Sequence, residues 1–299
     1  MKRLIFKIVI FCIIFIVVDN GIAFLLKIGL NRYYGFDRNA SILIVGHSRA
    51  AHGIDGAMLQ KITNRSVAKY SVQGTTLADH IMMYKHYISE HPGSVKTAVY
   101  IVDDYLFCKG FGSNQYRLFY PFMDNKIVDR YIYEYAGSSE DYITHKLIKL
   151  YRYCEGSVQG TVRMGFAGRT EKSINDRIDI NKIKKNIAKV NISERSKVSD
   201  VNIVHFKNLI TYLRSNNIQV YLFYMPFVDL LSEVNSESQK LTMGLLRELA
   251  KRDSGIILID DCVSGSSRYD LFIDATHPNR AGQKLYTNII AQKILSNSY

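Results

Sequence analysis

Cysteine is scarce: four residues in a chain of 299, with no C-x-x-C pair among them. That excludes a disulfide scaffold and makes a zinc ribbon a poor fit. Proline is equally rare at four residues, and 19 glycines leave no room for a long Pro/Gly linker. His47, His52, His80, His86, His91, His145 and His205 show neither H-x-x-x-H nor H-E-x-x-H spacing, so no metal and no cofactor are expected. Gly110-Phe111-Gly112 lacks the third glycine and preceding strand of a dinucleotide loop, and no G-x-x-x-x-G-K-[ST] loop occurs. Acidic residues are outnumbered, 27 against 39 Lys+Arg, for a formal charge of +12. Such a surface favours anionic neighbours, but no RNP or helix-turn-helix signature points to nucleic acid. With 47% hydrophobic and 22% charged residues, the composition is that of an ordinary globular protein.

The first 30 residues read MKRLIFKIVIFCIIFIVVDNGIAFLLKIGL. Lys2 and Arg3 precede an apolar run from Leu4 to Val18, which Asp19, Asn20 and Gly21 interrupt and Ile22 to Leu26 resume. The 23 positions from Leu4 to Leu26 exceed the roughly 20 needed to cross a bilayer. Lys7 can snorkel to the headgroups, whereas Asp19 and Asn20 carry a penalty unless they lie near the far interface. The basic flank predicts a cytoplasmic N-terminus and a translocated body. A cleaved signal peptide is the rival reading, but no clean small-x-small site follows Val18. A buried core helix of a cytosolic protein is the third. Of the four cysteines, Cys12 falls in the span. Cys108, Cys154 and Cys262 leave one thiol odd, and Cys108–Cys154 is only one of the pairings they allow.

Beyond the anchor, short β-branched runs recur at Ser41–Gly46, Val67–Val72, Lys96–Asp103, Ile218–Met225 and Gly255–Asp260. Continuous apolar runs suit strands buried on both faces of a parallel sheet. Helix-period segments lie between them at Thr76–Ser89, His205–Asn216 and Ser236–Lys251, and Asn279–Leu295 closes the chain. The alternation predicts a three-layer α/β/α domain with about five parallel strands. The interval at about 108–200 breaks the pattern. It is rich in tyrosine (Tyr116, Tyr120, Tyr131, Tyr133, Tyr135, Tyr142, Tyr151, Tyr153) and then basic (Lys182, Lys184, Lys185, Lys189, Arg195, Lys197). It reads as a helical and loop insertion: a solvated cap, a substrate lid or a partner surface. The expected division is an anchor and flank over 1–30 and an α/β domain over 40–299 carrying this insertion.

Two motifs carry chemistry. Val45-Gly46-His47-Ser48-Arg49-Ala50 follows the first strand, where a serine is exposed at the C-terminal edge at which open α/β sheets bind ligands. Ala50 stands where the G-x-S-x-G elbow has its second glycine. By itself Ser48 could be no more than a helix cap. Asp274-Ala275-Thr276-His277-Pro278-Asn279 precedes the last helix. A hydroxyl nucleophile needs a base, and the base needs an orienting carboxylate. Asp274 can meet His277 Nδ1 within one turn, leaving Nε2 to take a proton from Ser48. Alone, this too is a common surface turn.

Together, 229 positions apart, the two motifs resemble the SGNH/GDSL hydrolase superfamily, over roughly residues 40 to 299. Those enzymes place the nucleophilic serine after the first strand of a flavodoxin-like sheet and a D-x-x-H block before the last helix. The first block, Gly46-His47-Ser48-Arg49, is similar to that of membrane-anchored envelope members whose block reads G-[ST]-S-R. That subgroup includes proteins associated with acylation of cell-wall polymers and exopolysaccharides.

The resemblance implies Ser48 as nucleophile, His277 as base and Asp274 as its partner, with the Ser48 and Gly74 N–H groups as oxyanion donors. The family's third block normally supplies an asparagine. Here Val102-Asp103-Asp104-Tyr105 stands in its place. An ionised aspartate cannot donate to an oxyanion and repels it, so either the hole is weakened or Asp103 turns away to hold Arg49. Arg49 has two readings, an ion pair with Asp103 or Asp104 and a contact to an anionic substrate. The expected activity is a membrane-tethered serine esterase or O-acyltransferase acting on acyl esters of cell-envelope carbohydrate. The expected partners are that substrate, the lipid bilayer and a membrane acyltransferase. The alternative is a non-catalytic polysaccharide-binding or accessory protein on a degenerate scaffold.

Overall fold

A computed structural model of the chain describes residues 1–108, 113–168, 178–187, 198–260 and 266–297. Cys262, Gly110–Gly112, and Lys189, Arg195 and Lys197 of the basic run lie outside the described residues. The chain forms two compact units, residues 1–37 with 115–170, and residues 38–114 with 171–299.

The second unit holds five strands, β1 (Ile42–Gly46), β2 (Val67–Ser71), β3 (Thr97–Val102), β4 (Gln219–Tyr224) and β5 (Ile256–Ile259). All pair in parallel, in the order β2-β1-β3-β4-β5. Each apolar run of the sequence is one of these strands, and β1, β2 and β3 are buried along their whole length. On one face Ile42, Ile44, Val99, Ile101, Tyr221 and Phe223 share a core with Tyr286, Ile290 and Ile294. The last three belong to the helix Arg280–Ser296. On the other face Tyr100 packs edge-on to Tyr84 at 5.5 Å and against Phe206 at 5.6 Å, from the helices Leu77–Glu90 and Asp200–Ser215. These are the three layers that the sequence alternation predicts.

Lys69 interrupts the apolar run of β2. It is nevertheless buried, because its Nζ donates to the carbonyls of Ala51 and Ile54 at 2.7 and 2.9 Å. A buried ammonium is tolerated only with such partners. The chain winds from β1 outward to β2 and then back across to β3. β1 and β3 are therefore neighbours whose following loops depart to opposite sides, opening a crevice at their C-terminal ends.

The first unit is helical. Its long N-terminal helix, α1 (Lys2–Tyr34), lies with α5 (Lys126–Tyr135), α6 (Ser139–Leu147), α7 (Gly156–Phe166) and 3-10 turns at Tyr116–Phe122 and Lys149–Tyr153. The numbers α2, α3 and α4 belong to Ser48–Gly53, Gly56–Thr63 and Leu77–Glu90 of the other unit. α1 is long and apolar enough to cross a membrane. Residues 1–18 are exposed throughout. From Asp19 onward α1 buries Asp19, Ala23, Gly29, Leu30 and Tyr34.

Asp19, the residue that weighs against a long span, caps another element. Its two carboxylate oxygens accept the backbone N–H groups of Lys149 and Leu150, each at 2.9 Å, filling donors that the first turn of Lys149–Tyr153 leaves orphaned. Farther along, α1 and α7 approach backbone to backbone. A Cβ on Gly29 would stand 2.7 Å from the Val162 carbonyl oxygen, and one on Gly165 would overlap the Gly29 carbonyl. Of the insertion's tyrosines, Tyr120, Tyr131 and Tyr153 are buried, whereas Tyr133 and Tyr151 are exposed. Cys108 is buried, Cys154 is exposed, and both are free thiols.

Candidate active site

β1 ends at Gly46, where a Cβ would stand 2.7 Å from that of Ala50. Only glycine lets the chain turn this sharply into α2. His47 caps that helix, its Nδ1 accepting the Arg49 N–H at 3.2 Å. Ser48 is therefore the first helical residue, held at the sheet edge. At the far end of the chain, Asn279 caps Arg280–Ser296 by accepting the N–H groups of Ala281 and Gly282. Its Nδ2 donates back to the Asp270 carbonyl at 2.7 Å. The loop in front is closed further by the Ile273 N–H bonded to the His277 carbonyl at 3.0 Å.

The fold brings these two loops together. His277 Nε2 lies 2.8 Å from Ser48 Oγ, and His277 Nδ1 lies 2.9 Å from Asp274 Oδ2. Asp274 Oδ1 also accepts the backbone N–H groups of Thr276 and His277, each at 2.8 Å. Burial alone would raise the Asp274 carboxyl. The hydrogen bond and charge of His277, with the two N–H groups, outweigh it and hold the carboxyl well below the usual range. An ionised Asp274 fixes the proton on Nδ1 and leaves Nε2 as acceptor for the serine hydroxyl.

Asp103 follows β3 across the crevice and is fully buried. Its Oδ2 accepts His47 Nε2–H at 2.8 Å and Arg49 Nη1–H at 3.2 Å, and its Oδ1 accepts the Tyr105 N–H at 3.1 Å. Burial would raise the carboxyl, but His47 and then Arg49 overturn this and hold it well below the ordinary range. Asp103 is thus the neutralised counter-charge of its neighbours. His47 meets Asp103 through Nε2 and the Arg49 N–H through Nδ1, so both ring nitrogens are engaged.

Arg49, 2% exposed, donates Nε–H to the Thr276 carbonyl at 3.0 Å and Nη2–H to those of Met225 and Pro226 at 2.7 and 2.6 Å. Its guanidinium carbon sits 3.9 Å over the Phe227 ring. One side chain therefore ties together the loops after β1, β3 and β4 and the loop that carries His277. Of the two acids sequence offered it, Arg49 takes Asp103. Asp104 instead accepts the Tyr224 hydroxyl at 2.9 Å.

Gly74 adopts the left-handed region at φ 74°, which a side chain would disfavour. The next residue pins that turn. Thr75 Oγ1 donates to the Val72 carbonyl at 2.7 Å and stands 3.0 Å from His80 Nε2, while His80 Nδ1 stands 2.9 Å from the Tyr100 hydroxyl. Burial, reinforced by nearby His47, pushes the His80 pKa well down, so the ring is neutral and relays donors in one direction only. Ser48, His277 and Gly74 line a cavity of about 280 Å³, with Leu77, Leu106, Asn202 and Phe227 on its walls. Among the described residues no group of His, Cys, Asp and Glu is arranged to hold a metal.

The roles of His47, His80 and Met225–Phe227 carry no signature in the sequence: neither histidine has metal-ligand spacing, and residues 225–227 are marked only by their position at the end of a buried strand.

No family model and no curated protein matches the chain. Among solved structures it is similar to a protein assigned provisionally as an acylhydrolase from Bacteroides fragilis, at 12% identity and a TM-score of 0.43 over 85% of this chain and 86% of that one. It is also similar to a GDSL-like lipase from Bacteroides thetaiotaomicron, at 9% identity and a TM-score of 0.42 over 87% and 90%. A third is an active-site mutant of a family two carbohydrate esterase from Clostridium thermocellum, at 12% identity and a TM-score of 0.35 over 86% of this chain and 63% of that one.

Proposed function

We propose that the chain is a membrane-tethered serine esterase or O-acyltransferase acting on acyl esters of cell-envelope carbohydrate. The observation that carries this reading is the hydrogen-bonded series Ser48 Oγ, His277 Nε2, His277 Nδ1 and Asp274, assembled from the two ends of one domain beside a cavity. Ser48 Oγ attacks the ester carbonyl carbon as His277 Nε2 takes its proton, and the oxyanion is met by the Ser48 and Gly74 N–H groups. Collapse breaks the ester C–O bond, and the leaving alcohol takes the proton from His277. Water completes hydrolysis of the acyl-serine, or a sugar hydroxyl completes transfer, each deprotonated by the same imidazole. Arg49 holds the His277 loop through the Thr276 carbonyl. The non-catalytic alternative turns on Asp103; its pairing with Arg49 and His47 offsets the charge that would repel an oxyanion and leaves the two backbone N–H groups as the donors.

The carbohydrate substrate and a membrane acyltransferase partner come from the resemblance of the Gly46–Arg49 block. The charge of +12 suits an anionic polymer. The exposed apolar first half of α1 with Lys2 and Arg3 supports an anchor with a cytoplasmic N-terminus. The test is covalent labelling by a fluorophosphonate together with turnover of p-nitrophenyl acetate, with and without an acceptor glycan. Ser48→Ala should abolish both labelling and turnover; activity that survives the substitution would remove Ser48 as nucleophile.

A further inference from the structure

The helical unit carries a second cavity, of about 150 Å³, that the proposed chemistry does not use. One wall is a single stripe of α1, Asn20, Ala23, Phe24 and Lys27. The opposite wall includes Asp124, Lys149 and Arg152. The charges do not balance. Arg152, 3% exposed, donates to Asp124 Oδ1 at 3.0 Å and to the carbonyls of His145 and Lys146 at 2.7 and 3.4 Å, and Lys149 Nζ lies 3.6 Å from Asp124 Oδ2. Lys27 acts on the same carboxylate. Three cations thus share one anion. Asp19 is not among the residues that line the cavity; its two oxygens accept the N–H groups of Lys149 and Leu150.

The height of the cavity along α1 gives the excess charge a meaning. Residues 1–18 are bare, and protein first covers the helix at Asp19. With Lys2 and Arg3 at the opposite surface, the roughly 20 residues that cross the hydrocarbon run from Leu4 to about Ala23, and at 1.5 Å per residue Lys27 stands about 6 Å beyond, in the headgroup layer. Side chains of interfacial character are exposed in the same unit, Phe24 at 66%, Leu147 at 75% and Tyr151 at 51%. Exposed aromatic residues and snorkelling lysines are what a membrane surface selects.

We infer that this cavity is a binding site for the phosphate headgroup of an anionic membrane lipid, with Lys27 and Lys149 as its direct cations, Arg152 holding Asp124 behind them, and Phe24, Leu147 and Tyr151 resting among the acyl-chain ends. The inference rests on the reading of α1 as a membrane anchor. It adds that the anchor's second half and the helical unit form a seat that prefers anionic lipid.

The test uses the full chain in nonionic detergent micelles, with thermal unfolding followed as lipid is added. Phosphatidylglycerol near saturation should raise Tm by about 5 °C, whereas phosphatidylcholine or inorganic phosphate at equal concentration should not. A Lys27→Gln/Lys149→Gln variant should lose that rise while keeping ester turnover, and Lys27→Arg/Lys149→Arg should retain it. An equal rise with phosphatidylcholine or phosphate, or a rise undiminished in the glutamine variant, overturns the site. Pelleting of wild-type membranes after an alkaline wash separates the two readings. Release of the protein overturns both, and retention without lipid preference overturns only the headgroup site.

Discussion

Replacing Asp103 by asparagine separates two accounts of the carboxylate that follows β3. If the carboxylate were a defect that repels the oxyanion, Asp103→Asn would raise ester turnover and leave stability unchanged. The structure argues the opposite. Asp103 is fully buried and is the anion for Arg49, itself 2% exposed, and for His47 at 2.8 Å. Removing one partner of a buried pair costs about 3–5 kcal/mol. Asparagine keeps one acceptor oxygen, and Arg49 keeps three carbonyl acceptors, so the lower end, about 3 kcal/mol, is expected. At roughly 2 °C per kcal/mol for a chain of this size, Tm should fall by about 6 °C. On the proposed mechanism turnover should fall about tenfold or more, because Arg49 also holds the Thr276 carbonyl beside His277. The folded-state carboxyl is depressed, so its contribution is present above the ordinary value near 3.9 and fades as pH falls below it. The gap between variant and wild type should therefore be full at pH 7 and narrow below about pH 4. Differential scanning fluorimetry across pH, with p-nitrophenyl acetate kinetics at pH 7, reads both. A faster enzyme with an unchanged Tm would refute the argument.

Asp104 should behave in the reverse sense. Burial raises its carboxyl to about 7, so folding is favoured fully below the ordinary value near 4 and loses stability as pH climbs toward 7. Asp104→Asn should gain about 3 kcal/mol relative to wild type between pH 5 and pH 8, and an equal Tm difference at the two pH values would exclude this. Asp19→Ala should destabilise the helical unit by about 1–3 kcal/mol by orphaning the Lys149 and Leu150 N–H groups. If Asp19 instead faced lipid, the same change would stabilise the protein in detergent. Gly165→Val should force α1 and α7 apart at Gly29, seen as earlier proteolysis of residues 115–168 under conditions where wild type is intact.

The periodicity of the sequence determined the strands, because a strand buried on both faces must be apolar along its length, and such runs are visible one residue after another. It also exposed Ser48 and the Asp274–His277 pair, since a turn after a buried strand and a short acid–imidazole spacing are local facts. Their meeting was not local. Which loops share an edge depends on strand order, and β1 beside β3 is set by crossovers that no window of sequence contains. The same holds for charge. In the sequence Asp103 is a carboxylate with no visible partner after an apolar strand, and Asp19 is an acid in an apolar run. Only packing shows Asp103 neutralised by His47 and Arg49, and Asp19 engaged by the N–H groups of residues 130 positions away. An ionisable group takes its character from whatever the fold brings within about 4 Å.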